Sequence, residues 1–345
     1  MIYFIYLFFI SILAINFEKI KNIKYLDIFA FFILFLIIGF RYRTGGDFYP
    51  YINLFDQIQL SDFNTYKNTF YVINYISKLL YLDLLGVNLI LSFIFVFCLF
   101  FFLKKFNNFY LVTVISFPVL IMIYGMGSLR QGIAIVLFLN IISFKSFFYK
   151  STSIICGIFF HLTSIIYLYI YLVSLTVQKR NIKVFFILII LSITIIAIFN
   201  EQFMYYFKYY IISEEYSSSG FIYRNLLTYI FAHVYLFIYL FRKKFFITKE
   251  FKFIFFVISL VSIIIFPIGL FYSTAIDRLM AYFLPLQILV ANLLYEKVHS
   301  KNRLKVNYLI CILCFLQFIV WYNFADNSPA WEYELFFFPF KFEGV

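Results

Sequence analysis

The sequence predicts an all-α fold, that of a polytopic helical membrane protein. Its mean hydropathy is +0.96 over 345 residues, and only 13% of these residues are charged, against about a quarter in soluble domains. Apolar runs long enough to cross a hydrocarbon core of about 30 Å, which takes about 20 helical residues, follow one another along the chain. Because no polar stretch is long enough for a soluble domain, we expect residues 1–345 to form a single transmembrane domain.

Ten apolar runs are candidate transmembrane helices. The N-terminal run lacks the basic start and the small-residue cleavage site of a signal peptide, so it is included as the first span. In chain order the candidates are residues 2–17, 26–40, 87–103, 110–126, 131–144, 184–199, 221–241, 253–271, 279–295 and 306–322.

Basic clusters alternate with acidic segments along the chain, and this alternation predicts the topology. Lys and Arg favour cytoplasmic loops. The basic clusters are therefore predicted to face the cytoplasm; they lie at residues 19–24, 104–105, 145–150, 179–183, 242–252 and 297–305. The acid-bearing segments belong outside: residues 41–86, residues 200–220 and the tail after Tyr322. The net charge of +12 therefore comes from short loops rather than from a continuous basic face, so we expect no nucleic-acid partner.

The apolar run at residues 151–177 has basic residues on both sides, which breaks the alternation. A re-entrant helical hairpin that enters and leaves from the cytoplasmic face and turns near residues 161–164 restores the parity. Irregular backbone at that depth needs surrounding protein or a wet cavity. One long tilted span, with one basic loop outside, is the alternative.

The outer segment at residues 41–86 contains a stripe of apolar residues at helical spacing, between Phe70 and Leu80. This pattern predicts an amphipathic helix that lies at the outer membrane interface. A solvated loop is the alternative.

Charged residues near the outer ends of spans mark the candidate site, because an ionisable group at membrane depth costs at least ~2.5 kcal/mol and indicates function by default. Four arginines fall on the outer side, against the positive-inside bias: Arg41, Arg43, Arg130 and Arg278. A guanidinium can bind a phosphate group through two parallel hydrogen bonds, and it stays charged when it is buried. We therefore expect a phosphate or diphosphate ligand there, to which glycine-rich turns at residues 44–46 and 125–127 would present backbone N–H groups.

Other polar residues near the spans have simpler interpretations. Asp47 and Asp277 either take part in the site or only pair with the arginines. Arg224 is interpreted as an anchor whose side chain extends toward the headgroups, and His233 as a residue that packs between helices. We expect no metal or other cofactor, because no complete set of metal ligands is visible in the sequence.

Four short motifs, in this order, resemble those of the EpsG-like exopolysaccharide polymerases, relatives of the Wzy-type O-antigen and capsule polymerases. They are Gly39-x-Arg41 with Gly45-x-Asp47-x-x-x-Tyr51; Arg130-Gln131 after a Gly/Ser turn; Phe160-His161 with Thr163-Ser164; and Arg278-x-x-x-Tyr282. Together they span most of the chain. The family pattern has Ser two places after the His, where this chain has Thr163.

The resemblance implies a GT-C-like glycosyltransferase, with many spans, of the bacterial cytoplasmic (inner) membrane. It would join oligosaccharide repeat units carried on undecaprenyl diphosphate at the outer face, alongside membrane lipid, a flippase and a chain-length regulator. The four arginines, with Gln131, Tyr51, Tyr282 and Asp277, would bind the substrate. Asp47 and His161 are the two candidates for the base that deprotonates the acceptor hydroxyl.

Three other function classes remain as alternatives. One is a ligase of lipid-linked glycans, the second a transporter or flippase of lipid-linked sugars, and the third a membrane acyltransferase. A flippase needs cationic residues deep in a central cavity, whereas the strongest cluster here is at the outer end. Membrane acyltransferases usually pair a His with a nearby Asn or Asp, and His161 lacks such a neighbour in sequence.

Overall fold

Helices dominate the computed structural model, which describes residues 2–58, 69–141, 146–179, 220–241, 249–325 and 328–335 and the single positions 186, 190, 204 and 218. Two compact units are present. Unit 1 comprises residues 1–162 and 297–345, and unit 2 comprises residues 163–296. The single transmembrane domain stays a prediction.

Unit 1 contains most of the helices that the structure describes. In chain order its elements are α1 (Ile2–Ile15), α2 (Phe17–Ile20), α3 (Leu26–Gly39), β1 (Arg41–Tyr42), α4 (Phe48–Gln57), α5 (Thr69–Leu79), α6 (Asp83–Leu103), α7 (Phe109–Ser116), a π-helix (Phe117–Gly127), α8 (Leu129–Ile141) and α9 (Phe147–Phe160). The five helices described between residues 163 and 296 belong to unit 2, and the chain returns to unit 1 with α15 (Ser300–Phe324), a 3₁₀ turn (Ser328–Trp331) and β2 (Glu334–Leu335). The core forms where α6 packs against α3 and α8, and where α1 packs against α7 and α15.

The opposite ends of unit 1 carry different chemistry. At one end, which we call the lysine end, Lys104 forms an ion pair with Asp27, and the amide of Asn108 donates to the carbonyl of Ala14 (2.9 Å). At the other, which we call the motif end, β1 and β2 pair antiparallel. Two of the segments predicted to be cytoplasmic, at residues 19–24 and 104–105, thus meet at one end of this unit, and the segment after Gly39 meets the chain's tail at the other.

The π-helix is eleven residues long and nearly all buried, whereas most π-helices are single-turn bulges that occur at functional sites. It ends at Gly127 and α8 begins at Leu129. Ser128 is therefore the whole connection between the two helices, and Arg130 lies in the first turn of α8.

Unit 2 consists of α10 (Ile165–Lys179), α11 (Phe221–Phe241), α12 (Lys249–Ile268), α13 (Ser273–Met280), a 3₁₀ turn (Ala281–Phe283) and α14 (Pro285–Glu296). Helix α12 packs against α10 and α11, and α11 also packs against α14. The span expected at residues 279–295 is bent by 44° between Phe283 and Pro285. Proline suits the first turn of the new helix, because it has no N–H to leave unsatisfied there.

Four helical segments of the described residues are long and apolar enough to cross a membrane, or five if the bent pair counts as one span. The four are Asp83–Leu103, Phe109–Gly127, Phe221–Phe241 and Ser300–Phe324. Further apolar helices are shorter, with 10 to 17 residues. The protein is thus an all-α membrane protein, and the count of ten spans stays a prediction. The expected span at 184–199 and nearly all of the loop at 200–220 lie outside the described residues.

Two local predictions have helical counterparts. Helix α9 ends at Phe160, His161 is extended, and a 3₁₀ turn (Leu162–Ser164) precedes α10. The break thus lies where the re-entrant hairpin was expected to turn. Helix α9 packs on α8, while α10 packs on α12. Whether this segment is a hairpin or one tilted span stays a prediction.

Helix α5 is present and buries Phe70 and Ile73. Its place at the membrane interface stays a prediction.

Candidate functional site

Arg41 is a buried cation at the motif end. Its side chain is only 2% exposed, and its Nη1 donates to the carbonyl of Ile38 (2.6 Å). The carbonyl of Arg41 accepts from the buried amide of Asn88 (3.2 Å), which fixes the backbone. Desolvation lowers the pKa of Arg41, while nearby groups, Tyr51 first, raise it. An arginine remains charged even so, since its ordinary pKa exceeds 12.

No carboxylate in the described ranges forms an ion pair with Arg41 or Arg130. Desolvating an ion costs several kcal/mol unless a partner compensates. The guanidinium of Arg41 makes a single hydrogen bond within these ranges, so it retains donors for an anion.

Tyr51 joins Asp47 to Arg130. Its hydroxyl lies 3.3 Å from Oδ2 of Asp47 and accepts a long hydrogen bond from the backbone N–H of Arg130 (3.4 Å). Burial, with Asp47 adding to it and Arg130 opposing, raises the pKa of Tyr51 to about 12. The phenol therefore keeps its proton at neutral pH and donates it to the Asp47 carboxylate.

The guanidinium of Arg130 lies between two aromatic rings. Its Cζ is 5.1 Å from the ring centre of Tyr51 and 4.7 Å from that of Phe70, within the range of cation–π attraction. Its Nε is buried and has no hydrogen-bond partner among the described residues. The rings hold the plane of the guanidinium without using its hydrogen-bond donors.

The tail of the chain covers the Gly45 turn. The N–H of Gly45 donates to the carbonyl of Ala330 (2.7 Å), and Thr44 Oγ1 lies 3.0 Å from the carbonyl of Glu332. The ring of Trp331 covers Gly127, where an added Cβ would lie 2.0 Å from it. We call residues 328–335 the tail strap.

The glycines therefore serve a different purpose from the one expected. Gly45 has φ +96°, and a Cβ there would lie 2.4 Å from the carbonyl oxygen of Met126. Its N–H and the surface of Gly127 are taken by the tail strap, so neither is open to an anion. Gly46 has nothing within 4 Å of an added Cβ, and its N–H has no partner in the described part of the chain.

Two more predicted site residues lie in the same stretches of chain. Arg43 is exposed, adopts φ +48° and lies over the ring of Tyr42 (5.2 Å). Gln131 is buried beside Arg130 at the start of α8. Arg43 is thus outside the buried cluster that Arg41, Asp47, Tyr51 and Arg130 form.

In unit 2, two distant motifs meet. Thr163 Oγ1 and the hydroxyl of Tyr282 are 2.6 Å apart, although 119 positions separate them in sequence. Tyr282 is fully buried, and its ring meets the edge of Tyr167 at 5.1 Å. A threonine in place of the serine of the family pattern thus presents its hydroxyl to the last motif. His161, at the end of α9, is half-buried.

Asp277 is held by a polar cluster within unit 2. Arg224 forms an ion pair with it through Nε and Nη2, while Asn225 Nδ2 (2.7 Å) and Ser218 Oγ (2.9 Å) also donate to its carboxylate. Arg224 therefore has an acidic partner, which a simple membrane anchor does not need. Arg278 next to it is exposed.

Sequence reasoning missed the Arg224–Asp277 pair, the Phe70 contact and the tail strap. One signal for the strap was present: Trp331 is one of only two tryptophans in the chain, and the glycine-rich turn offers room for a large ring. The other two contacts are long-range, and no local pattern marks them.

The model of the EpsG family matches residues 24–335, which include all four motifs. No curated protein and no solved structure matches the chain.

Proposed function

Because this chain belongs to the EpsG family, we propose that it is a polysaccharide polymerase of a bacterial cytoplasmic membrane, with a GT-C-like fold and the ten spans predicted above. It transfers a growing glycan from undecaprenyl diphosphate to a sugar hydroxyl of another lipid-linked repeat unit. The product is an O-antigen, a capsule or an exopolysaccharide. A flippase that delivers the units and a chain-length regulator are its proposed partners.

The observation that carries the proposal is the buried guanidinium of Arg41, without a carboxylate partner among the described residues. Arg130, whose plane is held between two rings, lies in the same cluster through Tyr51. Such fixed cations suit a ligand with several negative oxygens.

In the proposed reaction, the bond between the sugar's anomeric carbon and the diphosphate oxygen breaks. The acceptor oxygen bonds to that carbon, its proton passes to a base, and polyprenyl diphosphate leaves with the electron pair. Arg41 and Arg130 stabilise the charge that develops on the leaving diphosphate, because preorganised donors act strongly in a site that excludes water.

Asp47 and His161 are the candidates for the base. Asp47 accepts from Tyr51, which orients its carboxylate; His161 has an ordinary pKa nearer neutrality. Arg278, Arg43, Gln131, Tyr282 and Asp277 keep their proposed role of binding substrate.

Analysis of lipid-linked glycans by mass spectrometry tests the proposal. A deletion strain should accumulate single repeat units on the lipid carrier, and the unaltered gene should restore long chains. Long chains that stay on the lipid carrier would indicate a ligase instead, and units confined to the inner leaflet would indicate a flippase.

Arginine-to-lysine variants test the diphosphate-binding role. Arg41→Lys, Arg130→Lys and Arg278→Lys should each shorten the polymer at equal membrane abundance, because lysine keeps the charge but lacks the planar fork. Arg303→Lys, at the lysine end, is the control and should make chains of normal length. Near-normal chains from both Arg130→Lys and Arg278→Lys would refute the shared role in binding diphosphate.

A further inference from the structure

An apolar groove of about 620 Å³ lies between α1 and α3 in unit 1. Isoleucine, leucine and aromatic side chains line it from both helices, among them Ile5, Phe9, Ile33, Leu36 and Phe40. Four residues between positions 2 and 9 and four between positions 33 and 40 line the groove, which gives it a length on the order of 10 Å at 1.5 Å per residue. It is long enough for one end of a hydrocarbon chain.

The groove ends beside Arg41. Phe40, the first residue after α3 and the immediate neighbour of Arg41, lines this end of it. From the tail strap, Tyr333 and Leu335 complete the wall. Leu335 is the residue that pairs with Arg41 between β1 and β2, and the Tyr333 hydroxyl donates to the carbonyl of Ile37 (3.0 Å).

Tyr333, which lines the groove, lies close enough to Arg41 for their charges to interact. An apolar groove with a buried cation just behind its wall fits an amphiphile with an anionic head. The cation is Arg41, whose guanidinium forms no ion pair in the described ranges. The occupant must therefore join hydrocarbon closely to negative charge.

We propose that this groove holds the isoprenoid chain of the lipid diphosphate, with its first units beside Phe40 and its diphosphate at Arg41. In a polyprenyl diphosphate a single chain is bonded directly to the phosphates. A phospholipid has two acyl chains and places a glycerol between them and its phosphate, so it suits a single narrow groove less well. The inference rests on the proposed function and adds to it the site of the carrier lipid.

Photo-crosslinking of the full-length protein in lipid nanodiscs tests the groove. The probe is a polyprenyl diphosphate with a diazirine on the isoprene unit nearest the phosphates. Crosslinks should map to peptides of α1 and α3, and unlabelled undecaprenyl diphosphate should suppress them severalfold. An equal excess of phosphatidylglycerol should not. Suppression by both lipids alike, or crosslinks that map elsewhere, would overturn the proposal.

Groove-filling variants give a second measurement. Ile5→Trp and Leu36→Trp place an indole in the groove and should lower crosslinking severalfold. Phe8→Trp is the matched control: Phe8 is 61% exposed on the same helix and does not line the groove, so its crosslinking should be unchanged. Equal crosslinking in all three variants would contradict the proposal.

The outcome is separable from that of the proposed function. A strain that accumulates single units, with crosslinks outside the groove, would refute the groove and leave the polymerase intact. Groove crosslinks in a protein whose deletion leaves polymer length unchanged would refute the polymerase and keep the lipid site.

Discussion

At the scale of single residues, Arg41, Asp47, Tyr51 and Arg130 form one cluster although they come from two motifs 79 or more positions apart. Tyr51 holds that cluster together, because its hydroxyl reaches both Asp47 and the backbone of Arg130. The sequence predicted the charged members from their cost near a membrane. It predicted Tyr51 only through the family resemblance, since a tyrosine is unremarkable in a chain with 31 of them.

Gly45→Ala should lower the stability of the protein, whereas Gly46→Ala should not. At Gly45 a side chain meets both a positive φ of 96° and the carbonyl oxygen of Met126 at 2.4 Å, and such backbone strain costs on the order of 1–3 kcal/mol. At Gly46 an added Cβ has open space. Thermal unfolding of the two purified variants in one detergent measures the difference; equal melting temperatures would contradict this reading of the turn.

Arg224→Ala should also destabilise the protein, because the structure gives this residue an acidic partner that its interpretation as a membrane anchor did not include. The substitution leaves the carboxylate of Asp277, 14% exposed, without its cation, and breaking a buried pair is costly. His233→Ala, on the exposed side of the same helix, is the control. A melting temperature equal to that of the control variant would mean that the pair contributes little.

At the scale of elements, the helices could be predicted from hydropathy, whereas their interruptions could not. The π-helix (Phe117–Gly127) and the bend before Pro285 both lie inside uniformly apolar runs. Hydropathy carries no information about either interruption, although Pro118 at the start of the π-helix and Pro285 just after the bend are local signals that favour a break. The break at residues 161–164 is the exception, because the basic flanks of that run pointed to it.

The tail strap is the element that sequence reasoning assigned to the same side as residues 41–86, with which it pairs, but gave no role. Trp331→Ala should destabilise the motif end, since it removes a ring that covers Gly127 and meets Trp321 at 5.3 Å. Truncating a buried Trp typically costs roughly 3–5 kcal/mol of stability. Phe324→Ala, at a position 79% exposed, is the control for the loss of an aromatic ring.

The measurements are thermal unfolding and polymer length. Trp331→Ala should lower the melting temperature and shorten the polymer, while Phe324→Ala should change neither. A stable Trp331→Ala protein that makes long chains would show that the strap is dispensable.

At the scale of the whole molecule, the charge pattern predicts which end of unit 1 faces the cytoplasm. In a cysteine-free background, Gly46→Cys should react with an impermeant thiol reagent in whole cells. Lys21→Cys, at the lysine end, should react only after the membrane is permeabilised. Labelling of Lys21→Cys in whole cells would reverse the topology.

The same labelling decides how the chain passes from α9 to α10. Gln178→Cys, near the end of α10, should be protected in whole cells if residues 151–177 form a re-entrant hairpin. It should be labelled if they form one tilted span. Either result shows on which side of the membrane each later helix begins, which charge counting alone left open.

The bond between Thr44 and Glu332 joins residues 288 positions apart. When the ribosome has just synthesised the Gly45 turn, all later helices must still be made before the tail strap, which contains Glu332, exists. The nascent protein thus inserts its first spans with the site unfinished, and unit 2 must be synthesised in between. Closing so long a loop is slow in comparison with forming helices. Newly made chains therefore pass through a period in which they are inserted in the membrane without the tail strap in place, and during which proteolysis and membrane quality control can remove them.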